Sequence, residues 1–369
     1  MKKLAFVLLT SLAAACQSNR PALVSRSHFR GEVEGEKIGL YTLKSEDLTV
    51  QVTNFGARVV SLNTRDRDGN WADIVAGHDN LQDYVTPHGE RFLGATVGPV
   101  ANRIGGASYQ FGGDTWHTDA NDNGVNTLHG GFHGLDMHPW KVQSVSASSI
   151  TLGLECPHGQ GGFPGNRIIS LTYSVNQGDF TVEITGTSTK PTPMNITHHP
   201  FFCLRGEGNG SVEEYILSIA ASAYMPIDSL SIPTGEIAPV EGTPFDFRTP
   251  HTIGERIRQQ DRQLLNGRGY DHNWCLDGEG MRPVCLVQDP VSGRTVEVIT
   301  DQKGLQFYSG NFFFGGEKGK NGNPLGFRSA LALEAQGWPD AVNHPEFPSV
   351  FLLPGEEYHS TTTYRFGVK

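Results

Sequence analysis

The chain has 369 residues, 37% of them hydrophobic, which is enough to fill a substantial core without disulfide staples. A formal charge of -10, with no lysine or arginine cluster beyond the extreme N-terminus, leaves no electrostatic footprint for a phosphate backbone, so nucleic acid is excluded as an expected partner. Gly 45 and Pro 21 are scattered between short apolar stretches, which predicts many turns and argues against a long linker.

Met1-Lys2-Lys3 followed by Leu4 to Leu9 is a charged start and an apolar stretch too short to span a bilayer, the pattern of an export signal. Small residues before a cysteine, Leu12-Ala13-Ala14-Ala15-Cys16, resemble a bacterial lipobox, although Ala13 stands where leucine is commoner. The expectation is a lipoprotein signal peptide over residues 1–16 with lipid on Cys16, a polar tether over 17–30, and one folded domain over 31–369. Gln17 is not a retention aspartate, so for a Gram-negative source the anchor is expected in the outer membrane, facing the periplasm. That lipid anchor is the only membrane contact expected, and no motif sets an oligomeric state.

Period-two alternation predicts strands at Leu48–Val52, Phe180–Ile184, Thr295–Ile299 and Thr361–Phe366, separated by turn signals such as Asp68-Gly69-Asn70 and Phe111-Gly112-Gly113-Asp114. Helical periodicity is scarce, with Thr252 to Gln259 the best candidate. Short strands without βαβ alternation predict an all-β fold, a single large antiparallel β-sandwich. Cys275 and Cys285 flank the turn-like Asp277-Gly278-Glu279-Gly280 and could face each other across a hairpin; the preferred expectation is that these two, Cys156 and Cys203 are buried free thiols.

Several segments concentrate polar residues among aromatic and glycine neighbours. Arg103, in Val100-Ala101-Asn102-Arg103-Ile104, is flanked by apolar residues and needs acceptors that a carboxylate or a polyhydroxy ligand would supply. His129 precedes Gly130 and Gly131, which let a backbone or ligand approach closely. In Asn195-Ile196-Thr197-His198-His199-Pro200-Phe201-Phe202 the two histidines of a strand must point to opposite faces. Asp271 lies beside the aromatic Tyr270 and Trp274, and Gln306 lies in Leu305-Gln306-Phe307-Tyr308. Glu334 ends the apolar run Ala330 to Leu333, where a carboxylate is costly to ionise, so its pKa should rise toward working pH, as a general base requires.

Together with Asn54-Phe55-Gly56-Ala57, Gly242 to Arg248 and Leu333 to Pro345, these motifs occur in an order and spacing that resemble the galactose mutarotases, or aldose 1-epimerases, over roughly residues 35 to 367. The resemblance implies a galactose mutarotase-like supersandwich that interconverts the α and β anomers of a free aldose with no cofactor and no metal. It implies Glu334 as general base, His199 as general acid, and Asn102, Arg103, His129, Asp271 and Gln306 as holders of sugar hydroxyls. Departures from the family pattern are His198 where asparagine is usual, Phe201-Phe202-Cys203-Leu204 after the histidines, and Gly98-Pro99 where a Gly-Arg pair is usual.

The chemistry suits these residue types. Opening a hemiacetal ring requires removal of the anomeric hydroxyl proton and protonation of the ring oxygen, so one base and one acid suffice, with His199 expected to start protonated. Three other readings compete: a metal enzyme built on His129, His199 and Asp271, a surface lipoprotein that binds glycans without turnover, and a glycosidase pairing Glu334 with Asp271.

Overall fold

Alternating apolar and polar residues turn one face of each long strand inward, and the predicted strands form with small shifts at their ends: Thr49–Thr53, Asp179–Ser188, Arg294–Thr300 and Tyr358–Val368. The computed structural model describes residue 21 and residues 23–369. The expected signal peptide and Cys16 lie outside the described residues.

The largest sheet has nine antiparallel strands, ordered Lys141–Val145, Ser149–Cys156, Arg167–Asn176, Asp179–Ser188, Tyr358–Val368, Arg294–Thr300, Arg282–Gln288, Ile216–Ile219 and His251–Thr252. A six-stranded antiparallel sheet faces it: Phe201–Phe202, Leu331–Gln336, Gly304–Tyr308, Asp271–Cys275, Ala223–Met225 and Ala238–Pro239. A four-stranded sheet, Leu40 to Asp73, flanks them. The chain is thus an all-β sandwich.

The two large sheets differ in how they meet water. Strand Arg167–Asn176 alternates, burying Ile169, Leu171, Tyr173 and Val175. Strands Asp271–Cys275, Gly304–Tyr308 and Leu331–Gln336 are buried at every position. One face of this trio gives Trp274, Leu305, Phe307, Leu331, Leu333 and Ala335 to the main core, where the Tyr364 hydroxyl of the opposite sheet donates to the Leu333 carbonyl at 3.0 Å. The other face therefore carries Asp271, Gln306, Tyr308 and Glu334, held in register by Asp271 opposite Tyr308 and Gln306 opposite Glu334. Polar residues on a sheet covered on both sides need a cleft or a ligand to justify them.

Two expectations need correction, and one open alternative is decided. The helix expected over 252–259 is only a 3-10 turn, Ile253–Glu255, after a strand ending at Thr252; Gly254 weakens helical propensity there. The α-helical turns are Leu81–Val85 and Arg262–Asn266, capped by the Asn80 and Asp261 side chains. Cys275 and Cys285 sit in different sheets and do not face each other across a hairpin; all four described cysteines are buried free thiols, as preferred from sequence. Finally, the chain packs onto the sandwich before residue 31: the Gln51 amide bonds both the N–H and the carbonyl of Val24 (2.7 and 3.0 Å), and Phe29 is fully buried near Tyr84.

Candidate active site

Strand alternation separates the adjacent histidines as the sequence requires. His198 turns into the core among Tyr173, Phe180 and Tyr364, its ring centroid 5.5 to 6.0 Å from theirs. His199 turns the other way, into an open cleft on the polar face of the six-stranded sheet. Glu334 lines the same cleft, with its Oε1 3.3 Å from His199 Nε2. The two strands are tied together beneath the pair by the Thr197 hydroxyl, which donates to the Ala335 carbonyl at 2.7 Å.

Asn102, Arg103, His129 and Asp271 also reach the cleft wall. Asn102 and His129 adjoin the short paired strands Arg103–Ile104 and Thr127–Leu128, and both take left-handed backbone, φ +60° and +52°. Such strain in residues with side chains is characteristic of functional sites. The turn is possible because Gly130, at φ +86°, lies against the Gly98 carbonyl, where a Cβ would come within 1.9 Å of the oxygen. The His129 N–H donates to the Asn102 carbonyl at 2.9 Å, and the Asn102 N–H donates to His129 Nδ1 at 3.1 Å. His129 therefore carries its proton on Nε2. Arg103 Nε pairs with Asp122 at 2.9 Å, leaving its terminal nitrogens for the cleft.

Gln306 differs from expectation. It is buried behind the cleft wall, and its amide donates to Asp271 Oδ1 at 2.8 Å, so it orients a wall residue. Glu90, Phe92, Leu128, Phe201, Tyr308 and Phe312 complete the wall without having been singled out as site residues from sequence. Tyr308 and Phe201 were within reach of pattern reasoning, each lying two residues beyond a named site residue. Glu90, Phe92 and Phe312 lie outside the strands and carry no periodic signal.

Burial governs the charges. It pushes Glu334 well above the usual carboxylate range, with Asp271 and Glu90 adding to the rise and Arg103 opposing it. Burial also lowers His199 to about 3 and holds His129 well below the ordinary imidazole range. The expected starting state, with His199 protonated, is therefore not the one burial favours, which sets a neutral carboxyl against a neutral imidazole. Glu334 Oε2 and His199 Nδ1 are buried without hydrogen-bond partners among the described residues, which is costly unless a ligand brings them.

An aldose 1-epimerase family model matches residues 39–365. The chain belongs to the aldose 1-epimerase family. It is 39% identical to mouse galactose mutarotase over 90% of this chain and 95% of the relative, and 35% identical to the aldose 1-epimerase of Escherichia coli K12 over 90% and 96%. Among solved structures, an aldose epimerase homologue from Caenorhabditis elegans superposes with a TM-score of 0.82 at 26% identity, covering 90% of this chain and 99% of the other. Galactose 1-epimerase from Lactobacillus acidophilus gives 0.79 at 27%, covering 92% and 97%.

The departures of this aldose 1-epimerase from the family pattern include His198 and Gly98-Pro99. His198 points away from the cleft, and the Gly98 and Pro99 carbonyls accept the Leu135 and Asn195 N–H groups. As for a metal, His129, His199 and Glu334 bring ligand atoms within 4.8 Å of one another, whereas the sequence pointed to Asp271 as the carboxylate. The cluster fits a metal poorly. His129 Nδ1 is occupied by the Asn102 N–H and Nε2 then holds the proton, so the ring offers no free lone pair.

Proposed function

We propose that this aldose 1-epimerase equilibrates the α and β anomers of free aldoses with Glu334 as base and His199 as acid. The carrying observation is their 3.3 Å separation in one cleft. O1 and O5 of a cyclic aldose are bonded to the same carbon, so an adjoining acceptor and donor can serve both.

The pair holds one proton between its facing atoms. Burial favours it on Glu334; transfer to His199 Nε2 yields carboxylate and imidazolium without uptake from solvent. Glu334 then removes the O1 proton as His199 protonates O5, and the C1–O5 bond breaks to give the open-chain aldehyde. Rotation about C1–C2 presents the other carbonyl face. His199 takes the proton back from O5 as that oxygen attacks C1, and Glu334 returns a proton to O1. The enzyme ends as it began.

Arg103, Asp271, the Asn102 amide and His129 Nε2–H supply donors and acceptors for the remaining hydroxyls, with Gln306 holding Asp271 in place. A binding-only protein would gain nothing from a buried carboxyl without a partner on Oε2. The test is polarimetry on freshly dissolved α-D-glucose and α-D-galactose: catalysed decay of rotation is expected, and an unchanged spontaneous rate for every aldose tried would overturn the assignment.

We further infer export and lipidation at Cys16, supported by the basic start, the short apolar stretch and Leu12-Ala13-Ala14-Ala15 before the cysteine. An outer-membrane anchor facing the periplasm would place the enzyme where sugars await uptake. Labelled fatty acid should appear on the protein and vanish in Cys16→Ser; equal labelling of both would refute lipidation there.

A further inference from the structure

The strand that carries Glu334 ends two residues later, on the same face, at Gln336, a residue outside the acid–base reaction. Gln336 is 0% exposed, and among the described residues neither its Oε1 nor its Nε2 has a hydrogen-bond partner. A buried amide in that state is costly on both atoms unless something small joins it. Its place is fixed from both sides. The Thr197 hydroxyl donates to the Ala335 carbonyl before it, while Asn195 Oδ1 accepts the Gly337 N–H after it at 2.7 Å and the Asn195 amide donates to the Gly337 carbonyl at 3.2 Å.

Two further open atoms lie around it. Glu334 Oε2 stands about 7 Å back along the strand, within reach of two long side chains joined by one water, and it too is buried without a partner among the described residues. Across the sheet Gly304 is paired with Gln336. With no side chain there, the Asn273 amide leans over Gly304, where a Cβ would come within 2.5 Å of Asn273 Oδ1. That oxygen is likewise unpartnered among the described residues. Directly opposed strand residues stand about 5 Å apart, so Asn273 Oδ1, the Gln336 amide and Glu334 Oε2 form a short row in which two acceptors flank a group with two N–H donors. Direct bonds do not join them; a water, which accepts on one side and donates on the other, does so where buried polar groups converge.

We propose that Gln336 is a positioning residue for the base: through one enclosed water, its amide N–H supplies the hydrogen bond that Glu334 Oε2 needs once the carboxyl has given up its proton. This rests on the base role proposed for Glu334. The shared proton must leave Glu334 before O1 can be deprotonated, and burial opposes the carboxylate; a donor at Oε2 offsets that cost. A carboxylate oxygen accepts two hydrogen bonds, so the water leaves a site for O1. Asn273 Oδ1, taking the second N–H, fixes which end of the amide serves Glu334.

Gln336→Met keeps the length of the side chain and removes both donors. With whichever of α-D-glucose and α-D-galactose is turned over faster, kcat should fall about tenfold while KM stays within about twofold of wild type. The pH profile separates this from a loss of packing. Its basic limb in kcat/KM reports loss of the pair's proton to leave a carboxylate beside a neutral imidazole. Without the donor that carboxylate is less stable, so the limb should move up by about one pH unit while the acid limb stays in place. Gln336→Asn, whose amide still reaches a water, should recover most of kcat and bring the limb back toward wild type. A wild-type kcat or an unmoved basic limb in Gln336→Met would overturn the inference and leave the epimerase reading intact, as would a loss that Gln336→Asn does not recover. Should Gln336→Met fail to fold, Asn273→Leu, which frees the amide to turn, should raise the same limb, and no movement there overturns the inference. An active Glu334→Gln enzyme would remove the base role and this inference with it.

Discussion

The Thr197 hydroxyl donates a 2.7 Å hydrogen bond to the Ala335 carbonyl, joining the residue two before His199 to the residue after Glu334. That bond ties the strands of His199 and Glu334 together from below. Thr197→Val keeps the shape but strands the Ala335 carbonyl, costing about 1–3 kcal/mol of stability. Turnover should fall about tenfold with little change in KM, and Thr197→Ser should restore it. Equal effects of valine and serine on kcat would show that the tie does not position the pair.

Glu334→Gln is expected to reduce catalysed mutarotation by at least about two orders of magnitude, because the isosteric amide cannot accept the O1 proton. Sugar binding by calorimetry should remain near the wild-type level. Retention of most of the rate would take Glu334 out of the base role.

His199→Asn should abolish turnover, whereas His198→Asn should spare it, since only His199 faces the cleft. Equal losses in the two variants would contradict the division of faces.

His198 also makes a stability prediction. Among the described residues neither ring nitrogen makes a hydrogen bond of good geometry, the Gly94 carbonyl being the acceptor it approaches, and burial lowers its pKa to about 3 against an ordinary value near 6.5. The unfolded chain takes up this proton before the folded one, so the folded state loses stability as pH falls from about 6.5 toward 3. His198→Leu removes that loss. Its stability relative to wild type, from urea midpoints, should climb by up to about 1.4 kcal/mol per pH unit below 6.5; a difference independent of pH would mean that His198 does not titrate on unfolding.

Prolonged chelation followed by metal analysis should leave full activity, because the proton on His129 Nε2 blocks the third ligand position. Loss of rate restored by a divalent metal would reverse the argument.

Much of this was legible because alternation is a local rule. It sent His198 and His199 to opposite faces and placed Gln306 on a strand beside Glu334, where the two pair directly. What alternation does not encode is depth. Gln306 shares the face of Glu334 yet lies behind the wall, and the charge expected on His199 gave way to a burial that only the assembled sheets impose. Glu90 and Phe92 enter from a loop, at positions fixed by long-range packing such as the Glu317 contact, far along the chain. Helical propensity at Thr252 to Gln259 lost to Gly254 and to pairing of His251–Thr252 with the edge of the large sheet.

The strand Leu331–Gln336 has no dry-to-wet gradient to absorb error, since Glu334 on one side and Leu333 and Ala335 on the other are all enclosed. Gain or loss of a single codon within it would swap the carboxyl for a leucine in the cleft and drive a charge into the aromatic interior. Loops around the rim can drift in length over evolutionary time, but this segment can change only by substitution.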